Sequence, residues 1–207
     1  MTSDHVTHPW WNSMITTYCN VKLLIVNAND SNSLSITLMA DSTLMRSGMP
    51  FFVPDFAPHY SITPMLAMRV GRLGKCISKR FAHRYIDAVT AAMVVTPLDS
   101  ELKPLGADDM MHAFDGASMM GTWSDFNPLE FAYDLTWTYN GEQHTLGASD
   151  FVATYEQAIE HISKYATIKM GDIICLRPST LGTQVVAIND HFEASLGGTT
   201  LLKSKIK

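Results

Sequence analysis

The side chains able to do chemistry are scattered along this chain. Its eight histidines stand at positions 5, 8, 59, 83, 112, 144, 161 and 191. His5 and His8 lie close together in a polar stretch and read as a solvated tail, with metal binding as the competing reading. His83 sits in RFAHRY beside basic neighbours and reads as a surface or interface histidine. His112 precedes AFDG in a loop, the one histidine in a setting that suits a site, and a neutral imidazole there can act as a base near pH 7. Asp108 and Asp109 form an isolated pair, read as solvated loop rather than a metal clamp. Asp150, Glu156 and Glu160 fall on an exposed helix face. Cys19, Cys76 and Cys175 are odd in number and far apart, so they make neither a disulfide framework nor a CxxC zinc site. They read as buried free thiols. The sequence contains no GxGxxG, phosphate loop, GxSxG elbow, HExxH or calcium loop. Spacing alone therefore assigns no catalytic set.

Any site must be positioned by elements that a 207-residue chain can build as one domain with a sizeable core. Hydrophobic residues make up 46% of it, which excludes a disordered or collagen-like chain. Charged residues make up only 17%, against roughly 25% in an ordinary soluble domain. Methionine, an adaptable core filler, occurs 13 times. The net charge of −5 argues against nucleic acid or an anionic membrane as partner, since both want clustered Lys and Arg. No stretch approaches the roughly 20 apolar residues of a spanning helix. The N-terminus lacks the basic-then-apolar pattern of a secretory signal, so a cytoplasmic location is expected. Residues 1–20 read as an extension and 21–207 as the domain, with Met14 as an alternative initiation residue.

Along the domain, VKLLIV (21–26) predicts a strand followed by turn chemistry in NANDSNS. Residues 34–40 alternate weakly, SGMP (47–50) is a turn, and FFVPDFAP (51–58) is extended but not a central strand because of its prolines. MLAMRV (65–70) predicts a buried strand and GRLGK (71–75) a turn. Residues 78–96 predict a helix capped by Ser78, with Phe81, Tyr85, Ala88, Val89 and Ala92 on one stripe and Pro97 ending it. The tail of that segment, AAMVVT, suits a strand equally. FDGAS (114–118) carries a turn. FAYDLTWTY and EQHTL around Asn140-Gly141 predict a hairpin. Residues 149–165 predict a second helix with Ser149 as cap. MGDIICL, VVAI, HFEASL and LLKSKI read as short strands, which makes the class α+β with mostly antiparallel strands.

Several stretches, in order, resemble the fumarylacetoacetate hydrolase family, especially its small bacterial members. They are PFFVPDF (50–56), RLGKCISKRFAHRYIDAVT (72–90), AFDGASMMGTW (113–123), MGDIICL (170–176) and the closing INDHFEASL…LLKSKIK. The resemblance implies a mostly β fold: a rolled, mixed β-sheet sandwich of the family's C-terminal-domain type with a few peripheral helices. It implies homodimers. It also implies metal-assisted chemistry on 2-keto or enol acids, with Mg²⁺ or Mn²⁺ held by three carboxylates as Lewis acid and template.

Carried over residue by residue, the family's Glu-x-Glu pair falls at Thr63 and Met65, and its Asp ligand at Val94. The family's arginine falls at Leu98, the lysine before the FDG stretch at His112, an early lysine at Met39, and the histidine after the first strand at Ser33. The Gly-Thr-Pro loop after the MGD strand is replaced by Arg177, Pro178, Ser179 and Thr180. Met offers a soft thioether, Val nothing and Thr a neutral hydroxyl, so a hard dication finds no ligand set here. The expected protein is a degenerate, non-catalytic binding or regulatory member without a metal cofactor, with room for a small anionic ligand. The alternative is a metal-independent hydrolase or tautomerase using His112 in the same pocket, with Arg69, Arg177 or Ser33 touching an anionic substrate.

Overall fold

The computed structural model describes residues 21–28, 33–105, 109–179 and 184–207. Its larger sheet has nine strands. Its main path runs β2 (Leu34–Met39), β1 (Leu23–Ala28), β10 (Ile173–Leu176), β4 (His59–Val70), β5 (Ile86–Leu98), β6 (Ser118–Met120) and β3 (Leu44–Arg46). Two short strands complete it: β11 (Gln184–Val185) beside β4, and β7 (Ser124–Asp125) beside β5. The second sheet has the order β13 (Thr199–Lys205), β12 (His191–Leu196), β8 (Leu135–Tyr139) and β9 (Glu142–Leu146). The expected α+β class holds: the chain is mostly β, in a mixed-sheet sandwich. Most pairs are antiparallel, but β1 with β10 and β3 with β6 are parallel.

The longest contact is the antiparallel pair β4–β5, which runs from His59 opposite Leu98 to Val70 opposite Ile86. Here the expected helix over 78–96 is overturned. Lys79–Tyr85 form a 3-10 helix, and the chain from Ile86 onward is strand. β5 is buried on both faces, so no polar positions reveal a period of two, and apolar residues fall on a helical stripe by default. Its β-branched Val89, Thr90, Val94, Val95 and Thr96 favour the extended backbone. Pro97 does not end an element but lies within β5, opposite Tyr60. Likewise β4 begins six residues before the expected strand and contains Pro64. Proline is tolerated there because β4's other edge is paired to β11 at Ser61 and Ile62 and to β10 from Leu66, which leaves Pro64 in the gap.

The hairpin forms as expected. Asn140 and Gly141 both take positive φ, +49° and +91°, the turn whose twist matches the flanking strands. The second helix is shorter than expected: α1 spans Tyr155–Tyr165. Its cap is Thr154, not Ser149. The Thr154 hydroxyl accepts from the Gln157 N–H while the Gln157 side chain accepts from the Thr154 N–H. Of VVAI only Val185 is strand, in the two-residue β11. Cys76 is exposed rather than buried, and Cys175 is fully buried. Cys19, His5, His8, Asp108 and the whole of 1–20 lie outside the described residues. Among the described residues no helix is long and apolar enough to cross a membrane.

The main core lies between the sheets. Leu66, Met68, Met93, Val95, Ile174 and Leu176 of the larger sheet meet Leu135, Trp137, Phe192, Ala194 and Leu202 of the smaller one. Ala158, Ile159 and Ile162 of α1 join the same cluster.

Candidate functional site

The other face of the larger sheet carries the positions singled out in the sequence. Residues alternate between faces along each strand, and the registers align one set across six strands. Leu23 and Ile25 of β1 stand opposite Ile173 and Cys175 of β10. Cys175 stands opposite Ala67 of β4, and Leu23 opposite Met39 of β2. Met65 stands opposite Ala92 of β5, and Thr63 opposite Val94. Ser118 of β6 then faces Val94. Leu23, Ile25, Met39, Leu44, Met65, Ala67, Ala92, Val94, Ala117, Met120, Ile173 and Cys175 pack as one buried apolar cluster, distinct from the main core. Val21, Phe114 and Trp123 pack against its margin.

The structure thus brings together Met39, Met65 and Val94, at 3%, 0% and 6% exposure. Thr63 is half-buried beside Val94. Leu98 is buried further along β5, opposite His59, and is not part of the cluster. Ser33 is exposed and directly precedes β2. His112 is half-buried at the end of the 3-10 turn Asp109–His112, two residues before Phe114.

The buried polar groups near the cluster are satisfied by one another. Thr43 and Ser118 share a hydroxyl–hydroxyl bond of 2.9 Å, and the Thr43 hydroxyl also donates to the Ala40 carbonyl at 2.7 Å. These two residues lie 75 positions apart, and no sequence signal pairs them. Asn27 Nδ2 donates to Thr37 Oγ1 at 3.0 Å. Burial pushes the Cys175 thiol well above its ordinary pKa, so it stays protonated and is neither a nucleophile nor a ligand.

Arg69 closes one end of the face. Its guanidinium binds Asp87 through two contacts, 2.9 and 3.2 Å, and lies 5.5 Å from the Trp123 ring centroid. An open groove of about 520 Å³ lies by Met39, lined by Val21, Lys22, Leu38, Met39, Asp41 and Lys169. The Lys22 ammonium bonds the buried Asp172 carboxylate.

Hard divalent ions take oxygen ligands, mostly carboxylates. The three positions that the resemblance assigns to ligands offer one hydroxyl, one thioether and one isopropyl group, and the latter two are packed into hydrocarbon. This donor set does not fit Mg²⁺ or Mn²⁺. Among the described residues no three His, Cys, Asp or Glu side chains come together elsewhere to hold an ion.

Comparison with known proteins supplies the context for this geometry. A family model described as fumarylacetoacetate (FAA) hydrolase C-terminal matches residues 18–207. No curated protein matches the sequence. Among solved structures, a 5-carboxymethyl-2-hydroxymuconate delta-isomerase from Mycobacterium smegmatis superposes with TM-score 0.76 at 19% identity, covering 89% of this chain and 78% of that one. A 2-hydroxyhepta-2,4-diene-1,7-dioate isomerase from Mycobacterium marinum gives 0.75 at 20%, covering 89% and 73%. A protein from Yersinia pestis CO92 assigned to the same hydrolase family gives 0.73 at 23%, covering 90% and 92%. At these identities the likeness speaks for the fold.

Proposed function

This chain belongs to the fumarylacetoacetate hydrolase family, and from that premise we propose that it is a non-catalytic member, a binding or regulatory protein that works without the family's metal. One observation carries the reading. Met39, Met65 and Val94, where the resemblance expects a lysine and two metal ligands, pack together in one buried apolar cluster. A dication placed there would lose its hydration and gain no anionic oxygen, a transfer that costs many kcal/mol. The neighbouring hydroxyls of Thr43 and Ser118 are already paired and do not replace the missing carboxylates. The expected state is a cytoplasmic homodimer; sedimentation velocity checks the dimer.

Isothermal titration with Mg²⁺ and Mn²⁺, alongside turnover assays on acylpyruvates and 2-keto acids, tests the reading. No binding in the low millimolar range and no turnover is the expected outcome. Micromolar ion binding with metal-dependent turnover overturns it. The competing reading, a metal-independent hydrolase or tautomerase, draws on His112, half-buried two residues before Phe114 at the margin of the cluster. Turnover that persists in chelator and disappears in His112→Ala decides for that reading.

A further inference from the structure

β2 ends the main path of the nine-stranded sheet, so one of its sides is paired to β1 and the other to no described strand. Which residues it turns outward follows from β1. The Lys22 and Val26 carbonyls accept from the Ile173 and Arg177 N–H groups on the β10 side, at 2.8 and 3.2 Å. Backbone groups alternate sides along a strand, so Leu23, Ile25 and Asn27 turn theirs to β2. Their partners there are Met39, Thr37 and Ser35. Leu34, Ile36 and Leu38 therefore point their N–H and C=O groups away from the sheet, and among the described residues no backbone group bonds them there.

A row of unpaired backbone groups is a template for another strand, and the other margins of the two sheets are blunted against it. β3 is three residues long and carries Arg46. β13 is covered on its outer side, where the Lys203 and Lys205 carbonyls accept from the Gly48 and Phe51 N–H groups. β9 exposes Glu142, Gln143 and His144. β2 has none of these devices. Its LSITLM contains no charge, proline or glycine, its register with β1 runs unbroken from Leu34 to Met39, and Leu38 is 62% exposed.

The strand is also complementary to itself. Turned antiparallel about Ile36, it sets Leu34 opposite Leu38 of a second copy, Ile36 opposite Ile36, and Ser35 opposite Thr37. The outward-pointing residues then face one another, and each such pair exchanges two hydrogen bonds. Leucine and isoleucine meet on the side where Leu34 and Ile36 already pack against the core, and hydroxyls meet on the other. Leu38 gains the cover it lacks, and no like charges oppose each other across the axis. A slip of one residue sets Ile36 against Thr37 and turns outward groups toward inward ones.

We infer that the outer edge of β2 is the seam of a homodimer, at which two copies pair their β2 strands about a two-fold axis through Ile36 and join two nine-stranded sheets into one. The inference assigns a surface to the dimer expected above and rests on that expectation. It is independent of the metal-free reading.

The experiment is sedimentation velocity of the full chain from about 1 to 100 µM, a range that spans weak to moderate self-association. Wild type is expected to reach twice the monomer mass. Leu38→Lys places on this edge the charge that natural edges carry, and Leu38→Pro removes one outward N–H without touching the ladder to β1. Each is expected to weaken the dimer at least about 10-fold, whereas Gln143→Lys on β9 is expected to leave it unchanged. Far-UV circular dichroism like that of wild type shows that the variants fold. Under mild oxidation Ile36→Cys, on the axis, is expected to give a disulfide-linked dimer beyond the wild-type background, and Leu34→Cys, about four residues from its own copy along the strand, is not. A dimer of unchanged strength in both Leu38 variants overturns the seam and leaves the dimer standing, and so does equal cross-linking of Ile36→Cys and Leu34→Cys. A wild-type monomer across the whole range overturns both.

Discussion

The two faces of the nine-stranded sheet each carry a buried apolar cluster and differ in what covers them. One face lies under a second sheet and α1, and Leu66, Met68, Met93 and Val95 meet Trp137 and Phe192 across it. A sandwich demands such a surface, because each sheet must bury one face against another layer. The opposite face has no second sheet over it among the described residues. It carries Met65 and Val94 on its central strands, Met39 on the edge strand β2, and Arg69 opposite Ile173. The same residue types therefore answer two different requirements. Between the sheets they close the fold, and on the other face they stand where the family resemblance expects charged groups.

Restoring carboxylates to that second face should separate the two requirements most sharply. The triple variant Thr63→Glu, Met65→Glu, Val94→Asp buries three like charges and should lose on the order of 5 kcal/mol or more without metal. Millimolar Mn²⁺ should recover much of that loss, because an ion bound only by the native state stabilises it. Leu66→Glu, one residue along β4 but on the core face, should unfold the protein with or without Mn²⁺. Thermal melts with and without the ion decide; equal rescue of both variants would erase the distinction between the faces.

Truncation probes packing rather than charge. Phe192→Ala, fully buried between the sheets, should cost about 3–5 kcal/mol by urea denaturation. Met65→Ala on the other face should cost about 2–4 kcal/mol, and Met65→Leu under about 1.5 kcal/mol, because the volume is nearly kept. A near-zero cost for Met65→Ala would mean that the second face is loosely filled and open to a ligand.

A smaller effect comes from the edge of the smaller sheet. Burial alone would raise the Asp190 pKa, but hydrogen bonds from the Tyr139 hydroxyl, the Ala187 N–H and the Asn140 amide outweigh it and hold the carboxyl below its ordinary value. The stabilisation is then present above the unfolded pKa of about 4 and lost as pH falls through the folded value. Asp190→Asn should cost about 1–2 kcal/mol at pH 7 and remove that acid dependence. Tyr139 shifts the other way, chiefly through desolvation, so its share fades as pH rises above about 10. Urea midpoints between pH 3 and 7, compared for wild type and Asp190→Asn, check the acid limb.

Much of the fold was legible where a few neighbouring residues decide it. Asn140-Gly141 turns the hairpin because both positions need positive φ, and β1, β2 and β12 follow from short apolar or alternating runs. The helix expected over 78–96 fails, and the strand reading left open for AAMVVT holds for all of Ile86–Leu98, because burial on both faces erases the period that distinguishes strand from helix. Pro97 lies within β5 rather than ending an element, because proline's cost depends on which partner edge is vacant, a fact of the whole sheet.

The sequence by itself determined the chemistry available at the site. A valine cannot ligate an ion and a thioether is a poor partner for a hard one, whatever the fold around them. Only the tertiary structure decided that Met39, Met65 and Val94, spread over 56 positions, meet in one hydrocarbon cluster. It also set Thr43 against Ser118. Side-chain chemistry is a local property carried by each residue. Facing, register and burial are set by pairings between distant strands, and those pairings are fixed only when the whole sheet closes over its core.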